Sequence, residues 1–388
     1  MKIIPYAKQF IDKQDIKSVI DVLKSDWITQ GPKIKEFEAA LCKYTGAKYA
    51  VMVSNGTAAL HLACLAAGIK QGDEVITSAI TFVASANCVL YCGAKPVFCD
   101  IQTDTVNIDP QQIKKKINKK TKAIIPVHFA GHPCDLQEIK SLAKKHNLLV
   151  IEDAAQALGA EYKGVKIGSC QYSDMTIFSF HPAKSITTGE GGAITTNNKK
   201  LYEKLIMLRT HGITKDSSKF KVKRPKAQGD WYYEMQYLGF NYRITDFQCA
   251  LGISQLKKLN KFIQNRRKIV KIYNKAFKNN ALFDLPVEKD YVRSCWHLYP
   301  IKLKDNYRNK KKEIFAKLKA KGIGVQIHYI PVYLHPYYRK LRIKNQKCSH
   351  AQAYYQATIT LPLYPTMTQA QIKRVIQVTK AIISRYVK

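Results

Sequence analysis

The chain has 388 residues, of which 46% are hydrophobic and 24% are charged. This balance is typical of a folded protein with room for more than one domain, and it excludes a disordered, collagen-like or disulfide-stapled chain. No apolar run approaches the ~18 residues of a membrane span, and the first residues lack the apolar core of a signal peptide, so we expect a cytoplasmic protein that does not bind membranes.

Apolar, β-rich runs alternate with helical patterns over the first two thirds of the chain, which predicts βα units and a mainly parallel sheet. The predicted strands cover residues 49–54, 73–78, 96–101, 122–128, 148–153, 176–180 and 193–197. The predicted helices between them cover residues 56–68, 82–92, 110–117, 135–146 and 198–210. A doubly wound α/β domain is the simplest account of this order.

After Gly212 the periodic pattern stops, and the charged stretch 214–239 predicts a long loop. Helices are predicted next at 245–261 and 263–279. The last part predicts a smaller α+β domain, with strands at 297–303 and 324–329 and helices at 309–321 and 369–386. We therefore divide the chain into an N-terminal arm and large domain, 1–250, and a smaller domain, 251–388.

The charge of the chain is strongly positive, because 64 lysines and arginines stand against 28 acidic residues, a formal net charge of +36. A nucleic-acid-binding protein would concentrate these cations on one face, with aromatic residues between them. Here they are spread along several amphipathic helical patterns, which favours a solvated cationic surface and no specific nucleic-acid partner. Such a surface would still attract a small anionic molecule.

The ten cysteines are scattered, many of them inside apolar runs where they behave as small buried residues. This usage suits a reducing cytoplasm. Cys88 and Cys92 stand at helical spacing without a second pair, and His128 and His132 share one loop with a single cysteine. We therefore predict no metal site.

The segment SNGTAAL joins a strand to a helix through Ser54, Asn55, Gly56 and Thr57. Unpaired backbone N–H groups and the positive end of the helix dipole suit such a junction to a phosphate, and glycine allows the phosphate to approach closely. The same residue types also cap helices. The motif alone leaves both interpretations open.

The segment HNLLVIEDAAQ places Glu152 and Asp153 at the end of an apolar strand, at the sheet edge where open α/β proteins bind ligands. Such a carboxylate could hold a metal, pair with a ring cation or cap the next helix. Gln156 follows at the spacing of a capping box with Asp153. A structural role and a functional role for Asp153 remain equally open.

The segment SFHPAKSITTGEGGAI places Lys184 between an apolar strand end and a glycine-rich turn. A lysine in such a place can lose its proton in a sheltered pocket and attack a carbonyl carbon. The alternative is that Lys184 is one more surface cation among many.

Taken together and in this order, the three segments resemble fold-type I pyridoxal phosphate enzymes, and most closely the DegT-type sugar-nucleotide aminotransferases. The similarity extends over nearly the whole chain and includes WITQGPKIKEFE, TFVASANCVLYCGAKPVFCDI, LRTHGI, GFNYRITDFQCALGISQL and GVQIHYIPVY. It implies the PLP-dependent transferase fold of type I, with a large domain around a mostly parallel sheet and a smaller C-terminal α+β domain. Relatives with histidine in place of the lysine perform dehydration, and Lys184 argues against that branch.

The resemblance implies roles for individual residues in binding pyridoxal 5′-phosphate. Lys184 would form the Schiff base, and Asp153 would pair with the protonated ring nitrogen. The remaining cofactor contacts would be Gly56, Thr57 and Ser179 to the phosphate, Gln156 to the ring hydroxyl, Phe82 stacked on the ring, and Asn241 to the phosphate of the neighbouring subunit. The active unit would therefore be a homodimer with shared active sites.

The resemblance also implies contacts to a sugar nucleotide. These would come from Tyr6, from the segment Asp26, Trp27, Ile28 and Thr29, and from the segment Gln326, Ile327, His328 and Tyr329. Tyr6 and Trp27 could instead simply pack the N-terminal arm.

The TTGEGG turn resembles that of enzymes that aminate a 4-keto sugar. The combination of His181 and Pro182 before Lys184 with the TFVASAN and QIHY segments resembles enzymes of the pseudaminic acid type. This implies transfer of an amino group from L-glutamate to C4 of a UDP-linked 4-keto-6-deoxy-N-acetylhexosamine. A viosamine- or perosamine-type 4-aminotransferase, a pyridoxal enzyme acting on amino acids, and a nucleic-acid-binding protein that has kept the fold remain as alternatives.

Overall fold

The computed structural model describes residues 3–222, 229–341 and 347–386. Seven strands form the central sheet: β1 Tyr49–Val53, β2 Glu74–Ser78, β3 Lys95–Cys99, β4 Thr121–Ile125, β5 Leu149–Asp153, β8 Met175–Ser179 and β9 Gly192–Thr196. Short strands complete the set: β6 Glu161–Tyr162, β7 Val165–Lys166, β10 Ile213–Thr214, β11 Glu234–Met235, β12 Phe283–Asp284, β13 Val292–Arg293, β14 Tyr299–Leu303 and β15 Thr358–Leu361.

The helices of the described residues surround these strands. They are α1 Lys13–Leu23, α2 Pro32–Thr45, α3 Gly56–Ala66, α4 Ala84–Tyr91, α5 Pro110–Lys116, α6 Leu136–Lys145, α7 Lys199–Arg209, α8 Asp246–Leu256, α9 Leu259–Phe277, α10 Lys311–Ala320, α11 Pro336–Lys340, α12 Ser349–Ala357 and α13 Gln369–Ile383. None of those helices is both long and apolar enough to cross a membrane.

The central sheet has the strand order β1-β9-β8-β5-β4-β2-β3. Only β9 runs antiparallel to its neighbours, so the predicted mainly parallel sheet is confirmed. Strands β5 and β8 are parallel neighbours, with Asp153 opposite Ile177. Their carboxyl ends therefore meet at one edge of the sheet, where Asp153 and Ser179 lie.

Two apolar clusters cover the two faces of this sheet. Phe178 of β8 packs with Phe37 of α2 in one cluster, and its neighbour Ile177 packs with Leu62 of α3 in the other. Successive residues of a strand point to opposite faces, so a strand buried on both sides reads as a continuous apolar run. This arrangement confirms the predicted doubly wound architecture.

The C-terminal part has its own antiparallel sheet, in the order β12-β14-β15, and a separate apolar cluster built around Tyr273, Tyr299 and Ile359. Helix α9 contributes Ile263 to a cluster of the large sheet and Ile269 to this one. The division at residues 250 and 251 therefore stays a prediction, because α9 follows it and serves both clusters.

Three local predictions differ from the structure. The strand predicted at 324–329 is wrong, because Gln326 makes only an isolated bridge to Thr360. The alternative that Asp153 caps a following helix is wrong, because turns follow β5. Of the predicted long loop, residues 223–228 lie outside the described residues, and its flanks form the short β10–β11 pair.

Candidate active site

A cavity of about 700 Å³ lies at the carboxyl edge of the central sheet, where β5 and β8 end beside the N-terminus of α3. Ten of the residues predicted from the sequence line it: Tyr6, Gly56, Thr57, Phe82, Asp153, Gln156, Ser179, Lys184, His328 and Tyr329. The fold thus brings together side chains from both ends of the chain and from its centre.

The N-terminus of α3 offers free hydrogen-bond donors to this cavity. Asn55 caps the helix, its side-chain oxygen accepting from the Ala58 N–H at 2.8 Å. The N–H groups of Gly56 and Thr57 have no acceptor among the described residues. The cap uses the N–H of Ala58 and leaves the N–H groups of Gly56 and Thr57 for a ligand. Capping and anion binding are therefore compatible here.

Gly56 allows α3 to come this close to β8. A Cβ atom at position 56 would lie 2.8 Å from Cβ and 3.2 Å from Oγ of Ser179. Because real Cβ atoms do not approach other carbons so closely, any larger residue would push the helix start away from the strand end. Gly56 and Ser179 therefore border a narrow site, with the Ser179 hydroxyl group on one side and the N–H groups of Gly56 and Thr57 on the other.

Asp153 lies at the end of β5 and is 6% exposed. One carboxylate oxygen accepts a hydrogen bond from Ser85 Oγ at 2.6 Å, and the other accepts from the Ala155 N–H at 3.1 Å. A carboxylate can accept about four hydrogen bonds, so capacity remains for a cationic group in the cavity. Ser85, from the first turn of α4, was not predicted as a functional residue.

Gln156 is held in place by both ends of its amide group. Its oxygen accepts from the Ala130 N–H at 2.7 Å, and its nitrogen donates to the Tyr329 hydroxyl at 2.7 Å. Burial raises the pKa of Tyr329, so the phenol stays protonated. The second amide hydrogen of Gln156 remains available, and its predicted contact with a ring hydroxyl stays a prediction.

Lys184 follows β8 in a tight turn in which its own N–H donates to the His181 carbonyl oxygen at 2.8 Å. The side chain is partly buried in the cavity, and its Nζ makes no hydrogen bond or ion pair with any described residue. Burial lowers the pKa of Lys184, and the nearby Asp153 carboxylate partly opposes that change. A lysine with a lowered pKa is a better base and nucleophile, so this environment favours the functional interpretation of Lys184 over that of a surface cation.

Several predicted residues lie outside this cavity. Asn241 is exposed and bridges to Thr210, whereas its neighbour Tyr242 lines the cavity. The segment 26–29 is exposed beside the start of α8, where the Ile28 carbonyl oxygen accepts from the Asp246 N–H. The predicted roles of Asp26, Trp27, Ile28 and Thr29 in substrate binding stay predictions.

The QIHY segment divides between two environments. Gln326 pairs with Thr360 through backbone hydrogen bonds of 3.2 and 2.8 Å, and Ile327 packs against the apolar cluster of the small domain. His328 faces the cavity, and burial together with the Lys184 charge lowers its pKa to about 4. Of these four residues, the consecutive pair His328 and Tyr329 lines the cavity, whereas Gln326 and Ile327 do not.

The buried pair His128 and Glu152 serves the framework. His128 Nε2 contacts the Glu152 carboxylate at 2.7 Å, while His128 Nδ1 accepts from the Cys134 N–H at 3.1 Å. Both ring nitrogens are therefore used, which leaves none for a metal. No cluster of three or more metal-ligating side chains occurs in the described part of the chain, and all ten cysteines are free.

Known proteins are similar to this chain over nearly its whole length. A family model described as the DegT/DnrJ/EryC1/StrS aminotransferase family matches residues 9–380. The chain belongs to this family. It is 43% identical over 373 residues, 95% of each chain, to the UDP-4-amino-4,6-dideoxy-N-acetyl-beta-L-altrosamine transaminase of Campylobacter jejuni serotype O:23/36.

Two solved structures are similar over almost their whole length. Helicobacter pylori PseC, an aminotransferase involved in the biosynthesis of pseudoaminic acid, has a TM-score of 0.90 at 35% identity, with 99% of this chain and 100% of that chain covered. The PLP form of the putative sugar aminotransferase Spr1654 from Streptococcus pneumoniae has a TM-score of 0.91 at 30% identity, with both chains fully covered. The chain is therefore a PLP-dependent sugar aminotransferase.

The residues present fit pyridoxal phosphate. The two free N–H groups of Gly56 and Thr57 suit its phosphate, the Asp153 carboxylate suits a protonated ring nitrogen, and the unpaired Lys184 amine suits its carbonyl carbon. Phe82 stands at the cavity mouth, 58% exposed, with its ring centroid 6.4 Å from that of Tyr329. Such an aromatic ring is available to stack on a planar ligand.

Proposed function

We propose that the enzyme transfers an amino group from L-glutamate to C4 of a UDP-linked 4-keto-6-deoxy-N-acetylhexosamine, in a pathway of the pseudaminic acid type. The observation that carries the proposal is the unpaired Lys184 amine, which shares one cavity with the Asp153 carboxylate and the donor groups at the start of α3. The choice of sugar is supported by the similarity to the Campylobacter transaminase and to PseC.

The residues of the cavity divide the chemistry among them. When bound, pyridoxal phosphate supplies an electron sink that makes a neighbouring C–H bond acidic. Asp153 keeps the proton on the ring nitrogen, and Gly56 and Thr57 hold the phosphate. The Nζ atom of Lys184 takes the proton from Cα of the amino donor and later delivers one to C4 of the sugar.

A panel of sugar nucleotides tests the substrate. The enzyme is incubated with L-glutamate and UDP-, dTDP- or GDP-linked 4-keto-6-deoxy sugars, and the aminated product and 2-oxoglutarate are quantified. We expect kcat/KM to be highest for a UDP-linked N-acetyl sugar. Preference for a dTDP- or GDP-linked sugar would replace this proposal with a viosamine- or perosamine-type activity.

The attachment of the cofactor is tested by reduction with borohydride. Cofactor mass should become fixed on the peptide that contains Lys184, and Lys184→Ala should lose both the labelling and the amino transfer while its circular dichroism is unchanged. Lys163→Ala, on the loop between β6 and β7, serves as a control and should retain full activity. Labelling of another lysine would contradict the assignment.

We further propose that the active unit is a cytoplasmic homodimer with shared sites. Asn241 is exposed and is not among the residues that line the cavity of its own chain, and Trp231, Met235 and Leu238, which precede it in the sequence, are 77%, 62% and 78% exposed. Apolar patches of this kind usually mark an interface. Lys184 is the lysine and no arginine is found among the described residues that line the cavity, so within this part of the chain Lys184 is the residue that could offer a cation to a carboxylate of the amino donor.

Mixing two inactive variants tests the sharing of sites. Lys184→Ala and Asn241→Ala chains are combined under conditions that exchange subunits, since one site of each mixed dimer would then carry both intact residues. We expect partial recovery of activity. Proven exchange without recovery, with both parent proteins inactive, would contradict sharing across the interface.

A further inference from the structure

Asp153 is hydrogen-bonded to a buried line of two hydroxyl groups. Thr81 Oγ1 lies 2.6 Å from Ser85 Oγ, and Ser85 Oγ lies 2.6 Å from Oδ2 of Asp153. The three residues are 2%, 0% and 6% exposed, in that order. Thr81 and Ser85 belong to the stretch between β2 and the first turn of α4, so the fold alone brings them to the end of β5.

A count of protons gives this line one direction. A hydroxyl group has a single proton to donate. The Ser85 hydroxyl has two acceptors within reach, the Asp153 carboxylate at 2.6 Å and the Phe82 carbonyl oxygen at 3.3 Å, and the shorter bond to the charged oxygen is the stronger one. Because that bond uses the Ser85 proton, Thr81 donates to Ser85. Each bond in such a chain strengthens the next.

The Asp153 carboxylate is therefore fixed at both of its oxygens. Oδ2 accepts from Ser85, and Oδ1 accepts from the Ala155 N–H at 3.1 Å. The torsion angle that rotates a carboxylate group is otherwise broad. The two donors thus hold the plane of this carboxylate in one orientation.

Asp153 and Lys184 line the same cavity without forming an ion pair. The carboxylate attracts the amine, since its charge opposes the lowering of the pKa of Lys184 by burial. Even so, Lys184 Nζ has no hydrogen-bond or ion-pair partner in the described part of the chain. Attraction between opposite charges favours direct contact whenever one of the groups can turn freely. The donors that fix Asp153 account for the separation of the two groups.

We propose that Ser85 is a positioning residue for Asp153, which it keeps from pairing with the Lys184 amine, and that Thr81 strengthens this hold. The carboxylate then stays available to the ring nitrogen of the cofactor, and the amine stays available to its carbonyl carbon. The inference rests on the proposed function, in which Asp153 and Lys184 bind pyridoxal phosphate. It assigns to Ser85 and Thr81 a role that acts through Asp153.

Two variants at position 85 isolate the hydroxyl group. Ser85→Thr and Ser85→Val add side chains of nearly the same shape, but only threonine keeps a hydroxyl group that can donate to Asp153. Thr77→Val is the control, because it also removes a buried hydroxyl group, which donates to the Ile125 carbonyl oxygen at 2.9 Å within the sheet. Thr77 is not among the residues that line the cavity.

The first measurement is the pH midpoint of Lys184 in cofactor-free full-length protein, from its acetylation by acetic anhydride followed by mass spectrometry. In Ser85→Val the carboxylate can turn to the amine, and because an opposite charge favours the ammonium form, the midpoint should rise by about 1 pH unit. Thr81→Val should raise it by less, since the bond from Ser85 to Asp153 remains. Ser85→Thr and Thr77→Val should stay near the wild type. The other acid and histidine side chains of the cavity wall are the same in all variants: His181, Glu190, His297 and His328.

The second measurement is the affinity of the same variants for pyridoxal phosphate and, separately, for inorganic phosphate. A contact that raises the midpoint by about 1 unit favours the paired state about tenfold and must be broken before the cofactor binds, so Ser85→Val should weaken cofactor binding about tenfold. Binding of inorganic phosphate should change less than about twofold, because its proposed donors are the N–H groups of Gly56 and Thr57.

Three results would overturn the proposal. These are equal midpoints in Ser85→Val and Ser85→Thr, a lower midpoint in Ser85→Val than in the wild type, or a loss of phosphate binding as large as the loss of cofactor binding. The last result would indicate a general distortion of the cavity. If Ser85→Val does not fold, Ser85→Ala replaces it with the same outcomes required.

The midpoint is measured without cofactor or sugar, which separates the two hypotheses. If no sugar nucleotide is aminated but the midpoint of Lys184 rises in Ser85→Val, the proposed function fails and the hold on Asp153 stands. If the sugar is aminated and the midpoint does not move, the hold on Asp153 fails and the function stands.

Discussion

The contact between Gly56 and Ser179 supports a sharp prediction about cofactor binding. In Gly56→Ala the new Cβ atom would lie 2.8 Å from Ser179 Cβ and 3.4 Å from Ser179 Cα. The helix start must then move away from β8 by several tenths of an ångström, and the N–H groups of residues 56 and 57 move with it. Overpacking of this kind costs about 1–3 kcal/mol.

The steric origin of the loss can be isolated by changing the partner. Ser179→Ala and Ser179→Gly both lack the hydroxyl group and differ only in the Cβ atom that the new side chain meets. Gly56→Ala should therefore weaken binding of pyridoxal phosphate by about 5- to 150-fold in the Ser179→Ala background. In the Ser179→Gly background the same change should weaken binding less than about threefold, because the Cβ atom at position 179, the nearest contact at 2.8 Å, is absent.

The dissociation constant is measured by titrating cofactor-free protein with pyridoxal phosphate and following its near-visible absorbance, with thermal unfolding recorded in parallel. Inorganic phosphate is titrated in a second series, because it measures binding at the N-terminus of α3 without any contribution from the pyridine ring. Equal losses in the two backgrounds would refute the steric argument. No loss in either background would show that the start of α3 does not hold the phosphate.

The remaining predictions concern charge and burial. Asp153→Asn should retain bound cofactor but lose amino transfer by orders of magnitude, since a neutral amide does not hold the ring proton, and near wild-type turnover would contradict this. Because the pKa of His328 is lowered to about 4, protonation favours the unfolded chain, so the free energy of unfolding should fall by up to about 3 kcal/mol between pH 6.5 and 4. His328→Gln should flatten that dependence in denaturant titrations, and an unchanged slope would refute it. The buried Arg266 guanidinium donates to the carbonyl oxygens of Trp296, His297 and Leu363. Arg266→Met should therefore lower the free energy of unfolding by about 1–3 kcal/mol for each carbonyl group that loses its donor, whereas the exposed Arg339→Met should change it little. Equal melting temperatures of the two variants would contradict the expectation that these hydrogen bonds stabilise the fold.

The seven strands of the central sheet could be predicted because their burial leaves a simple trace in the sequence. A strand covered by helices on both faces is apolar at every position, as in the run from Leu149 to Ile151, and turn residues follow it. The observed bounds differ from the predicted ones by three residues or fewer at either end. This signal is local and needs no knowledge of the neighbouring strands.

Helices α1 and α2 also have recognisable motifs at their ends, although neither helix was predicted. Helix α1 begins with a capping box between Asp12 and Asp15, and α2 has Pro32 at its first turn and ends at Gly46 in a left-handed conformation with φ of 85°. Both patterns are visible in the sequence. These two helices were not predicted, because they lack the continuous apolar runs that indicate the buried strands.

The error at residues 324–329 has a physical cause. The run has the composition of a strand, but His328 and Tyr329 turn into the cavity, where His328 contacts Thr360 and Tyr329 contacts Gln156. In a regular strand the backbone N–H and carbonyl groups of these residues would instead have paired with a neighbouring strand. Local propensity is commonly overridden where a segment serves a site.

The active site shows the same division between local and long-range information. The N-terminus of α3, Asp153 at the end of β5 and Lys184 after β8 could be predicted from the sequence. Each stands at the end of a strand and is followed by a recognisable motif. Ser85, Tyr242 and His297 could not, since only folding brings them to the cavity. The residues of the first kind line the cavity from the carboxyl ends of β5 and β8 and from the start of α3, so they should govern whether the cofactor binds.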